Sequence, residues 1–270
     1  MFTGCNALLP NEIRPAEALP ISPRNPRGAN VGYDNITVTE RYASLGAVFK
    51  GVGTNGDAIK FKDIKVIGMD DSGTDCIQFL EGTEAAPVLY ATYVDDGEGS
   101  EYTGWYPSES VWEPDCKIDE EDIPACSAFL CDMGMCTEDA PVTFVFSGEV
   151  EAGRSITATE RYAFIANPIP ARFPIGKVKV VGMDDSGTDC IQFLEGTEAA
   201  PYFYATYVDD GEGSEYTGWY PSENVWEPEY KIDETFMIEP GMAFLCDMGM
   251  CTEDAPVTFT FPDPFAKDVE

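Results

Sequence analysis

The sequence contains no histidine. That removes the side chain most used for proton transfer near neutral pH and for metal ligation. With it go any Ser–His or Cys–His relay and any zinc-type Cys/His spacing. Positive charge is scarce too: 16 Lys and Arg stand against 49 Asp and Glu, a net charge of −33. Such a chain repels phosphate backbones and anionic headgroups, which excludes nucleic acid and argues against membrane surfaces. No apolar run is long enough to span a bilayer, which excludes membrane insertion by a helix. Residues 1–15 have neither the basic start nor the apolar run of a secretory leader. There is no phosphate-cradling glycine loop and no segment of helical period with a cap at each end. An enzyme would have to work through a pair of carboxylates, and with 49 acids some pair always looks suitable. The sequence therefore favours a non-enzymatic protein.

What the sequence does contain is a duplication. Residues 64–115 and 178–229 run in parallel at an offset of 114, and only six of the 52 positions differ. A fixed period of this kind sets the architecture before any other signal. It divides the chain into an arm at 1–30, a first repeat at 31–150 and a second at 151–270. Each repeat is long enough to bury a core without a metal. Both open on the same motif, ITVTERY at 36–42 and ITATERY at 156–162.

Within each repeat the apolar pattern has period two. IKVIGM, DCIQFLEG, VLYATYVDD, AFLCDM and VTFVFSGEV are short, β-branched and aromatic, with Gly, Asp and Pro clusters between them. Thr54-Asn55-Gly56-Asp57 is a strong hairpin-turn signal in the first repeat. The expected fold is all-β, two tandem homologous domains of sandwich or barrel type. The arm holds Pro10, Pro15, Pro20, Pro23 and Pro26, and three arginines against two glutamates. Proline removes backbone donors and favours extended chain, so residues 1–30 read as an extended arm.

Nine cysteines make an odd count. Cys116 and Cys126 are confined to the first repeat, which suggests that they bond to each other. Cys131 with Cys136, and Cys246 with Cys251, flank an Asp-Met-Gly-Met turn and suggest cross-strand bridges. The other reading of those turns is a soft thiolate and thioether site for Cu(I). Cys5, in the arm, suits an interchain bond or a free thiol. Two acidic loops occur in both copies. Asp70, Asp71 and Asp75 match Asp184, Asp185 and Asp189, and Asp95 and Asp96 match Asp209 and Asp210. Hard oxygens on glycine-bearing loops suit Ca²⁺, although neither loop has the helix–loop–helix calcium spacing. Solvated acidic turns are the simpler reading, and no cofactor is required. The aromatic cluster Trp105, Tyr106 and Trp112, matched by Trp219, Tyr220 and Trp226, suits either a β core or stacking against sugar rings.

The sequence of features Lys62-Asp63-Ile64, Asp75-Cys76-Ile77-Gln78, Gly104-Trp105-Tyr106, Pro124-Ala125-Cys126-Ser127 and Val142-Thr143-Phe144 resembles duplicated secreted or surface β-repeat proteins of environmental bacteria. The resemblance covers residues 31–262 and implies a location outside the cell or at its surface, but no activity. A proline-rich start without a leader departs from it and keeps a virion component in view. The expected function is a self-assembling structural subunit of an extracellular filament, surface layer or shell, whose partners are copies of itself. Arg14, Arg24 and Arg27 of the arm would lie along an acidic groove of the neighbouring copy. The alternative is a bivalent module binding a glycan or host surface, or a phage decoration protein.

Overall fold

A computed structural model of the protein describes residues 30–46, 58–82, 87–124, 128–150, 155–169, 171–196 and 200–263. Cys5, Arg14, Arg24, Arg27, Cys126 and the Thr54–Asp57 turn lie outside the described residues.

Among the described residues there is no α-helix, and the strands form five antiparallel sheets. The first repeat supplies β1 (Asn30–Val38), β2 (Tyr42–Gly46), β3 (Ala58–Lys60), β4 (Lys65–Ile67), β5 (Cys76–Gly82), β6 (Pro87–Val94), β7 (Gly104–Pro107), β8 (Asp122–Pro124), β9 (Ala128–Asp132) and β10 (Val142–Val150). The second supplies β11 (Ser155–Ala158), β12 (Tyr162–Ala166), β13 (Phe173–Pro174), β14 (Lys179–Val181), β15 (Cys190–Gly196), β16 (Pro201–Val208), β17 (Gly218–Pro221), β18 (Met237–Ile238), β19 (Ala243–Asp247) and β20 (Val257–Thr260). The duplication thus carries through strand by strand.

Each repeat buries its alternate residues between two layers. In the first, the three-stranded sheet β1-β10-β4 turns Ile36, Val38, Val66, Val142, Phe144 and Phe146 inward. They meet Leu45, Ile77, Ala91, Trp105 and Phe129 from β2, β5, β6, β7 and β9 in one buried cluster. On the outward face of the same strands Thr37 and Thr143 pair their hydroxyls at 3.1 Å, although Ile67 is exposed there too. The second repeat builds the same core with β11-β20-β14 opposite β12, β15, β16, β17 and β19.

The repeats do not stop at separate sheets. β5 pairs with β9 through Cys76–Gln78 and with β12 through Glu81 and Gly82. β15 repeats this, pairing with β19 through Cys190–Gln192 and with β2 through Glu195 and Gly196. Since β9 also pairs with β2, and β19 with β12, the pairings close a ring of six strands, β5-β9-β2-β15-β19-β12. The two junctions are equivalent, Gly82 facing Tyr162 and Gly196 facing Tyr42, so the repeats meet as a homodimer would.

This ring explains why β9 and β19 read as the near-continuous apolar run AFLC. Phe129 and Cys131 face their own repeat's core, whereas Ala128 and Leu130 turn the other way. That second face forms a third cluster of Ala128, Phe164, Ala166, Leu194, Ala243 and Leu245, drawn from both repeats. A strand covered on both faces keeps apolar residues at successive positions. Where the second repeat puts Phe164 into this cluster, the first has the equally buried Ser44. The contact is close: Gly241 has φ +70, and a Cβ there would collide with Ile36 of the first repeat. The Gly46 amide donates to the Gly241 carbonyl at 3.0 Å across the same seam.

The shared TERY motif also has a structural role. Arg41 bonds Asp132 at 2.8 Å and lies over the Tyr42 ring at 4.9 Å, and Arg161 does the same with Asp247 and Tyr162. Each arginine therefore fastens the start of its strand to the end of the neighbouring one.

Candidate functional site

The described concave surfaces include one cleft repeated in both copies. Its floor is the β6 or β16 strand, and its wall is the turn that follows β7 or β17. In the first repeat Gly73, Cys76, Leu89, Tyr90, Pro107, Ser108 and Glu109 enclose about 320 Å³. In the second, Gly187, Tyr202, Phe203, Tyr204, Pro221, Ser222 and Glu223 enclose about 490 Å³.

The acidic loops hold the cleft in shape. Thr92, fully buried, donates to the Asp75 carbonyl at 2.7 Å and shares a 2.8 Å bond with the Ser108 hydroxyl. Thr206 does the same with Asp189 and Ser222. Gly73 has φ +89, and a Cβ there would sit 2.5 Å from the Ser108 carbonyl oxygen, so only glycine lets the loop approach the wall. Trp112 and Trp226 tie the acidic loop to the turn that follows β7 or β17. Both have φ 68, which is rare for a bulky residue, and their indoles donate to the Asp71 and Asp185 carbonyls at 3.1 and 3.0 Å.

Side-chain direction along β16 follows strand alternation. Ala205 and Tyr207 point into the core, whereas Tyr202 and Tyr204 stand outward at 51% and 44% exposure. Tyr90 is the first repeat's equivalent of Tyr204, at 45%. Two of the six differences between the repeats, Val88/Tyr202 and Leu89/Phe203, fall on this strand. Sequence reasoning passed over Tyr90, Tyr202, Tyr204, Glu109 and Glu223. The available signal was that pair of changes, which turns an aliphatic segment aromatic inside an otherwise near-identical repeat.

Of the six residues of the aromatic cluster, four are core rather than stacking surfaces. Trp105, Tyr106, Trp219 and Tyr220 are fully buried. The Trp105 indole donates to the Ile64 carbonyl at 2.9 Å, and the Tyr106 hydroxyl to that of Tyr102 at 2.8 Å. They are core because β7 and β17 are covered on both faces. Trp112 and Trp226 remain accessible, tilted against Tyr102 and Tyr216.

The anticipated disulfides are not formed. Cys116, Cys131, Cys136, Cys246 and Cys251 are free thiols, as are Cys76 and Cys190. Cys131 points into the core from β9, while Cys136 donates instead to the Val38 carbonyl at 3.0 Å; Cys251 donates to that of Ala158 at 3.2 Å. Burial pushes the Cys131 and Cys246 thiols well above their usual range, which keeps them protonated. Cys116 bonds the Glu113 carboxylate, which raises its pKa as well.

The acidic loops do not converge on a cation. Among the described residues no three Asp, Glu or Cys side chains gather as metal ligands. Asp70 accepts from the Ser72 hydroxyl and from Thr74, and Asp184 from Ser186 and Thr188. Asp95 accepts from the Gly97 amide and Asp96 from Ser100, with Asp209 and Asp210 doing likewise. Asp71 and Asp185 contribute their carbonyls to the tryptophans. The carboxylates of Asp70, Asp95 and Asp96 and of their twins thus serve their own turns, as in Asx-type turns.

Asp75 and Asp189 point inward and are buried, each accepting the amide five residues before it; Asp189 also accepts the Gly249 amide at 2.8 Å. Burial raises both carboxyls, whereas the serine hydroxyls lower Asp70 and Asp184. Asp75 and Asp189 therefore favour the fold when protonated. Their contribution is complete below the ordinary value of 3.8 and is lost as pH rises through the raised one. Asp70 and Asp184 act oppositely, at full effect above 3.8 and lost as pH falls through their lowered values. Asp75→Asn with Asp189→Asn should consequently flatten the loss of stability as pH rises from about 4 to 7. Urea midpoints across that range measure it. Equal slopes in both proteins would refute the assignment, since self-repulsion of the acidic surface is common to both.

No protein family, curated protein or solved structure matches the chain. Among the described residues no helix is long and apolar enough to cross a membrane. The cleft geometry is therefore the guide to function. Its lining offers tyrosine rings with their hydroxyls, a serine and a glutamate in each copy, with the Cys76 thiol beside them in the first.

Proposed function

We propose that the protein is a structural, self-assembling subunit of an extracellular filament, surface layer or shell, built as two tandem β-sandwich units behind a proline-rich arm. The observation that supports this is the pair of equivalent tyrosine-walled, glutamate-rimmed clefts carried on one continuous sheet. Two like faces in fixed relation suit contacts with other copies better than a single reaction centre. Charge points the same way. Residues 1–30 hold three arginines against two glutamates, and the body they precede carries 47 of the 49 acids. Bodies of like charge repel unless a cationic element intervenes. A virion or decoration protein would use the same arrangement.

Deleting residues 1–29 removes the arm and spares β1, which starts at Asn30. The truncated chain should keep its β-sheet circular dichroism and stay monomeric where the full chain associates, as read by light scattering. Unchanged assembly would overturn the proposal. A glycan-binding module, drawing on the exposed Trp112 and Trp226, would keep its sugar affinity after the same deletion.

A further inference from the structure

We infer that residues 20–27 of one copy dock in the second-repeat cleft of another, with prolines on the Tyr202 and Tyr204 faces and arginine against Glu223. This rests on the assembly reading above and assigns its contact.

The segment Pro20-Ile21-Ser22-Pro23-Arg24-Asn25-Pro26-Arg27 places proline at every third position. Bound as a polyproline II helix, with three residues per turn, the segment would put Pro20, Pro23 and Pro26 on one edge and Arg24 and Arg27 on the adjoining one. Such a helix loses little entropy on binding, and the grooves that receive it are lined by aromatic rings. An acidic group at the rim then takes the arginine in a charge-assisted bond.

The second-repeat cleft meets each requirement. Tyr202 and Tyr204 stand outward on one face of β16, Phe203 and Pro221 complete the apolar lining, and Glu223 lies exposed at the rim. Among the described residues no lysine or arginine forms an ion pair with Glu223. The first-repeat cleft is smaller and its strand has valine at position 88 where the second has Tyr202, so it has one aromatic ring fewer to present to proline. One arm per chain needs one such cleft. Contact between an arm and a different patch on the next molecule is heterologous, and it propagates as an open filament or closes as a ring. Docking between copies also offsets the repulsion of bodies that are both strongly acidic.

Sedimentation velocity of the full chain over a concentration series tests this. Tyr204→Ser, Glu223→Lys and the pair Arg24→Glu with Arg27→Glu should each weaken self-association by about tenfold or more, with circular dichroism unchanged. Combining Glu223→Lys with the two arginine changes should restore association, which a merely structural role for Glu223 would not do. Association unaffected by Tyr204→Ser and Glu223→Lys, but abolished by deleting residues 1–29, would overturn this contact and leave the assembly reading standing. Association surviving the deletion would overturn both. A chain that is monomeric at every concentration yet binds a synthetic peptide of residues 17–29 less well than its truncated form would show the arm seated on its own body, and would overturn docking between copies.

Discussion

Trp219→Ala should cost about 3–5 kcal/mol of folding stability, whereas Trp226→Ala should cost about 1 kcal/mol or less. The two residues lie seven apart in one aromatic segment, yet their surroundings are opposite. Trp219 is fully buried, packs edge-on against Tyr207 at 5.4 Å and donates its indole N–H to the Val178 carbonyl at 3.0 Å. Truncation removes a large apolar surface, leaves a cavity and orphans a buried carbonyl, and these losses add. Trp226 is 39% exposed and sits at φ 68, where alanine is no more strained than tryptophan. Urea unfolding of both variants measures the difference. Equal costs would mean that Trp219 is not in the core.

A carboxylate placed in the ring between the repeats should be at least as damaging. Ala166 is fully buried, pairs with Ala243 across β12 and β19, and belongs to the cluster that both repeats share. Ala166→Asp puts a charge there with no cationic partner in that cluster, at a cost of roughly 3–5 kcal/mol. Because the cluster joins the two cores, the parent chain should melt in one cooperative transition and the variant in two. Calorimetry reads both effects. A variant that melts as one transition, within about 1 kcal/mol of the parent, would show that the ring does not couple the repeats.

These two residues mark what could be read in advance. Period-two apolar segments between Gly, Asp and Pro clusters identified the strands, because alternation and turn chemistry are local properties of a chain. For the aromatic cluster the sequence left core and stacking side by side, and the fold divides them. Trp105 and Trp112 differ in burial because β7 is sandwiched between layers while Trp112 lies on the turn beyond it, and nothing within the segment declares that. The disulfide expectation failed for a related reason. Spacing placed Cys131 near Cys136 along the chain, but the core claims one sulfur and the Val38 carbonyl the other. The run AFLC did carry the mark of a strand covered on both faces, a sign of the ring that alternation elsewhere obscured.

The sequence by itself determined the all-β class, the duplication, the acidic body and the absence of imidazole chemistry, since each follows from composition, periodicity or local conformational preference. Only the tertiary structure decided that the repeats close one ring of strands, which tryptophans are core, and that Tyr90, Tyr202 and Tyr204 wall a cleft. Those outcomes depend on pairings such as Tyr42 with Gly196, between residues more than a hundred positions apart. Strand edges are chemically alike, and which edge meets which is settled by the packing of the whole chain.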